Sequence, residues 1–136
     1  MNSYIVRLIA LLFITCGSAQ AQFFSSDDTV KDVTTGVTWL RCSVGQVWDP
    51  SVETCTGKIV KLNHEEIAIA LTQAKEQLGG DWRLPSRKEL MSLVCDDCSS
   101  PKINTKYFPN LSSEAYWTGD KNWMNPRTYW TVNFMT

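Results

Sequence analysis

The residues whose types and spacing permit chemistry are few. Cys95-Asp96-Asp97-Cys98 has the spacing of a redox-active Cys-x-x-Cys pair. A reactive thiol needs a helix N-terminus or nearby cations to lower its pKa. This pair instead follows an apolar helical stretch and encloses two carboxylates. Zinc is a second use for Cys42, Cys55, Cys95 and Cys98, but an all-cysteine site repeats a short-spaced pair, and 12 residues separate Cys42 from Cys55. An even set of four in an exported chain reads as a disulfide framework with three possible connectivities. The local pairing, Cys42 with Cys55 and Cys95 with Cys98, is the expected one. The first bridge is then worth roughly 3 kcal/mol in the chain-entropy model, and the tighter second ring less.

Catalysis finds little material. His64 is the only histidine and stands beside Glu65 and Glu66 where a helix begins, a solvated or capping position. Gly-x-Ser-x-Gly, phosphate-loop and paired-His motifs are missing. Asp27-Asp28 and Asp96-Asp97 read as turn residues. No enzymatic activity, cofactor or metal is expected. Binding is better motivated, because the segment 119–128 places Trp123 among Asp120, Asn125 and Arg127 between two aromatic stretches. A flat apolar ring among polar groups suits sugar or peptide recognition. The competing use of Trp123 is to cover an edge of the core.

Elements must position these residues. Residues 1–21 carry Arg7, the apolar run Leu8 to Ile14 and Ala19-Gln20-Ala21, the form of a cleaved secretory signal too short to span a bilayer. The chain holds 13 basic and 14 acidic residues. Arg7 is the only charge in that signal, so what remains is slightly acidic, with no basic stripe for nucleic acid. No membrane contact is expected once the signal is removed. All six tryptophans lie beyond it, enough large rings for a dense aromatic core in one domain.

Residues 22–31 read as a flexible leader and 32–136 as the domain. Val37 to Cys42 favours a strand, 43–57 a loop braced by the first disulfide, and Lys58 to Leu62 a short strand. Asn63 with Glu66 forms a capping box ahead of a helix whose Ile67, Ala70, Leu71, Ala74 and Leu78 make one buried stripe, ended by Gly79-Gly80. Ser86 with Glu89 opens a second helix by the same device. Between them Trp82-Arg83-Leu84-Pro85 reads as a joint, with Trp82 and Leu84 inward and Asp81 and Arg83 outward or paired locally. Ala115 to Thr118 and Tyr129 to Phe134 are strands. The fold class is α+β, two short helices on a small, mainly antiparallel sheet.

Five segments together carry a family likeness: Thr34 to Cys42 (TTGVTWLRC), Gly45 to Gly57 (GQVWDPSVETCTG), Trp82 to Val94 (WRLPSRKELMSLV), Ser100 to Asn110 (SPKINTKYFPN) and Glu114 to Gly119 (EAYWTG). From Asp32 to Phe134 the chain resembles the bacterial exported domain named after the C-terminal domain of the Legionella collagen-like adhesin. The resemblance implies an α+β domain related to C-type-lectin-like folds and a link to sulfated polysaccharide and host surfaces. Two departures stand out. The resemblance implies a closing strand after the Tyr-Trp-x-Val-Asn-Phe segment that is not expected here, so Tyr129 to Phe134 is expected to form an open edge. The Glu-Pro-Asn and Trp-Asn-Asp elements that hold calcium and sugar in true C-type lectins are missing too, and Asn125-Pro126-Arg127 lacks the paired oxygens a hard cation needs.

The sequence therefore predicts an exported, non-catalytic binding or adhesion module of the bacterial periplasm or cell surface, with a glycan or envelope protein as partner. The alternatives are a thiol-redox protein using Cys95 and Cys98, and a structural subunit that associates through its open C-terminal edge.

Overall fold

The computed structural model describes residues 22–136, so the signal expected over 1–21 lies outside the described residues. The first departure from expectation is the leader. Residues 22–31 are not loose: β1 (Phe23–Ser26) and β2 (Thr29–Asp32) pair antiparallel, and β3 (Thr38–Leu40) pairs with the other side of β2, with Val30 opposite Trp39. Asp27 takes φ 45° in the β1–β2 turn, a conformation that aspartate tolerates better than most residues. Local propensity does not announce this hairpin; tertiary contacts hold it. Val30 is fully buried in the main core, and the Phe23 ring lies 5.2 Å from Tyr107 and 6.0 Å from Phe108. The equally buried Asp32 carboxylate accepts from the Thr34 N–H at 2.8 Å and the Thr35 N–H at 3.4 Å, which ties the following turn down.

The stretch expected as a braced loop is also a hairpin, β4 (Gln46–Asp49) with β5 (Thr54–Gly57). Cys42 bonds to Cys55 across a Cα separation of 5.5 Å, and Cys95 to Cys98 across 5.3 Å, the local connectivity. Lys58 to Leu62 forms no strand. Instead the Val60 N–H donates to the Val44 carbonyl at 2.8 Å, which brings this segment back over Gly45.

Both capping boxes form. Asn63 Oδ1 accepts from the N–H groups of Glu65 and Glu66 while Glu66 returns a bond to the Asn63 N–H, starting α1 (His64–Leu78); Ser86 and Glu89 do the same for α2 (Arg87–Met91). Gly79, at φ 70°, ends α1. The last pair, β6 (Tyr116–Lys121) and β7 (Tyr129–Val132), is antiparallel with an irregularity between Trp117 and Lys121.

The α+β architecture is thus distributed over three small antiparallel sheets. Val30, Leu90, Leu93, Ile103, Phe108, Val132 and Phe134 form one core that joins β2, α2, the segment after it and the C-terminal strand. The two helices are used differently. α2 packs on β6 and β7, whereas among the described residues no strand or helix lies at backbone contact distance from α1. Of the stripe expected to be buried on α1, only Ile67 is; Ala70, Leu71 and Ala74 are partly covered and Leu78 is 50% exposed.

Candidate ligand-binding surface

The joint between the helices sets the geometry of the C-terminal face. Gly79-Gly80 stops α1, and the chain then runs extended into Ser86. Asp81 pairs with Lys75 at 2.7 Å, while Arg83 forms a fork on Glu89, Nη1 to Oε2 at 2.9 Å and Nη2 to Oε1 at 2.7 Å. The outward pair therefore engages locally, as alternation predicts. Leu84 and Pro85 meet β6: the Gly119 N–H donates to the Pro85 carbonyl at 2.9 Å, and a side chain at Gly119 would bring a Cβ to within 3.6 Å of the Leu84 Cβ. Trp82 is half-buried but stands outside the main core cluster, and its indole N–H is enclosed without a partner among the described residues. The joint is a clamp between α2 and β6.

That clamp aligns the start of α2 with the β6–β7 hairpin. The Arg87 N–H donates to Asp120 Oδ2 at 2.7 Å, and the Arg87 guanidinium lies 4.6 Å from the Trp130 ring centre. Beneath them the fully buried Thr118 donates its hydroxyl to the Trp130 carbonyl at 2.8 Å and accepts from the Asp120 N–H at 3.2 Å. Arg87, Lys88, Met91, Asp120, Lys121 and Trp130 line an open hollow of about 450 Å³. Its chemistry is an aromatic floor with three cationic side chains and one carboxylate that is already engaged.

Beside the hollow, the β6–β7 loop closes on itself. The Asn122 N–H donates to the Thr128 carbonyl at 2.8 Å, and the Thr128 N–H and hydroxyl both donate to the Asn125 carbonyl at 2.9 Å. Asn122 Oδ1 accepts from the Met124 N–H at 3.0 Å and Asn125 Oδ1 from the Arg127 N–H at 3.3 Å. Trp123 projects from this braced loop 79% exposed, with Met124 beside it at 64%.

Of the four candidate residues, the fold keeps Trp123, Asn125 and Arg127 on one loop and turns Asp120 toward α2, where it holds the Arg87 backbone. Trp123 does not cover the core edge. Arg87 and Lys88 join Trp130 on this surface although they stand far from it in the sequence. Nothing local places them together; the clamp does. His64 is also not solvated. It stacks on Tyr129 with centroids 3.6 Å apart and meets Trp117 edge-on at 5.9 Å, while the Trp117 indole donates to the Leu62 carbonyl at 2.9 Å. These contacts fix the start of α1 on β6 and β7. The Cys95–Cys98 ring follows α2, where Lys102 Nζ donates to the carbonyls of Asp96 and Cys98 at 3.1 and 2.7 Å.

Among the described residues no group of three His, Cys, Asp or Glu side chains is placed to hold a metal ion, and no helix is long and apolar enough to cross a membrane. The fold and this surface define a small, disulfide-braced α+β domain with an exposed aromatic loop. The family model of the Lcl C-terminal domain matches residues 28–136, and the chain belongs to that family. The match includes β2 to β7, and of the segment expected as a leader it takes in residues 28–31. No curated protein and no solved structure matches the chain.

Proposed function

We propose that this chain is an exported, non-catalytic module of adhesion type that binds glycan on an envelope or host surface through Trp123 and the hollow floored by Trp130. The observation that carries the reading is the 79% exposure of Trp123 on a loop closed by its own hydrogen bonds. Exposing a large ring has a hydration cost, and holding it rigidly removes an ordering cost from binding. Sugar C–H faces stack on such rings, and polar groups around them fix orientation. Arg87, Lys88 and Lys121 favour acidic or sulfated sugars, by attraction that salt screens. Membership of the Lcl C-terminal domain family supports the adhesion-type reading.

The test is a glycan array, with sulfated members, probed with the purified protein and with Trp123→Ala. The expected result is binding by the parent protein and at least a roughly tenfold loss in the variant, with an unchanged melting temperature. Absence of glycan binding by the parent, or equal binding by the variant, overturns the proposal.

A further inference from the structure

A second surface, sharing no residue with the first, is formed where α1 lacks a covering element. Ala70, Gln73, Ala74, Gln77 and Leu78 recur at helical spacing and form one wall of a cleft of about 500 Å³; Leu40, Val44, Val47, Trp48 and Pro50 form the facing wall, and Asp27 and Asp28 also line it. Three properties define what fits. The walls are mainly apolar, with Val47 70% exposed and Leu78 50% exposed, so the occupant brings apolar side chains. The small side chains of Ala70 and Ala74 leave the depth for them. The Gln73 and Gln77 side chains form no hydrogen bond among the described residues, and two free primary amides four residues apart both donate and accept, matching a polypeptide backbone. The occupant's charge follows from Asp27 and Asp28. Neither carboxylate has an ion-pair partner among the described residues, while the backbone carbonyls of both are held by Arg41, at 3.1 and 2.9 Å. The turn that presents them is therefore fixed and the charges are free.

We infer that this cleft is a docking site for a peptide segment of a partner protein, with aliphatic or aromatic side chains lying along α1 and a Lys or Arg meeting Asp27 and Asp28. The amphipathic period of α1 supports this occupant. Its apolar stripe continues past Ile67 to Leu78, yet the fold buries only Ile67, covers Ala70, Leu71 and Ala74 in part and leaves Leu78 exposed, and an intermolecular segment completes the burial. Cation and carboxylate fix the direction of the bound segment.

Panning of a displayed random 12-residue peptide library on the immobilised protein tests this. Expected are enriched peptides that combine apolar residues with Lys or Arg, lose binding to Ala74→Trp, and bind the Asp27→Asn, Asp28→Asn double variant roughly tenfold more weakly. Circular dichroism melts of both variants confirm that they fold, and Gln73→Ala serves as a second, milder substitution in the same wall. Enrichment without basic residues, or binding unaffected by Ala74→Trp and by Gln73→Ala, overturns the inference. So does a concentration-dependent dimer in sedimentation that Ala74→Trp abolishes, because the occupant is then a second copy of this chain.

Discussion

Arg41 and Trp48 are stacked, with the guanidinium carbon 3.6 Å from the ring centre, and this contact ties the first sheet to the disulfide-braced hairpin. The same guanidinium donates to three carbonyls, those of Asp27, Lys106 and Tyr107, at 3.1, 2.9 and 3.0 Å. Burial disfavours its charged form, with Glu53 and Tyr107 opposing in part, and the fork of donors satisfies the three carbonyls. Three distant segments therefore depend on one side chain.

Removing it leaves those carbonyls unsatisfied, at about 1–3 kcal/mol for each that stays buried. Arg41→Ala is expected to lose about 3 kcal/mol or more in urea denaturation, and Arg41→Lys to recover only part of it, because an ammonium lacks the planar fork. A loss below about 1 kcal/mol in Arg41→Ala would contradict this role.

The Arg83–Glu89 fork makes stability depend on pH. Hydrogen bonds from Arg83 and from the Ser86 backbone hold the Glu89 carboxyl down from 4.5 to about 2. A depressed carboxylate pKa contributes stability that is complete above the unfolded value and is lost as pH falls from about 4.5 toward 2. Arg83 is well exposed, so solvent screening reduces the contribution to about 1 kcal/mol. Melting curves of the parent and Glu89→Gln should differ at pH 6 and converge near pH 2; a constant difference across that range counts against the linkage.

The two disulfides should differ in weight. Replacing Cys42 and Cys55 by serine frees the longer loop and is expected to cost about 3 kcal/mol, whereas the same exchange at Cys95 and Cys98 costs less because the ring it opens is small. Chemical denaturation of the two double variants gives the order directly, and the reverse order refutes it.

Gly45 has φ 91°, and a Cβ there would lie 2.6 Å from Val60 Cγ2 and also against the Lys58 carbonyl. Gly36 has φ 75° with no atom within 4 Å of such a Cβ. Gly36→Ala should therefore cost about 1–2 kcal/mol for the left-handed backbone alone, and Gly45→Ala clearly more, as read by thermal melts. Equal costs would show that the segment after β5 is free to move away.

Some of this molecule is written in short spans of sequence. Helix starts were legible because Asn63 with Glu66 and Ser86 with Glu89 satisfy backbone donors within three residues, and the joint was legible because glycine and proline restrict the chain where they stand. The local cysteine pairing also needs only nearby residues. The β1–β2 hairpin was hidden, because its stability lies in Val30 and Phe23 meeting residues far along the chain. The same holds for the surfaces. Trp123 was visible as an aromatic among polar neighbours, but its exposure, the turning of Asp120 toward Arg87, and the gathering of Arg87, Lys88 and Trp130 depend on how α2 docks on β6 and β7. Helical period showed that α1 has an apolar stripe; only the tertiary structure decided that Ile67 is buried, Ala70, Leu71 and Ala74 are partly covered and Leu78 is left exposed, since period records which side chains share a face and packing determines what covers it.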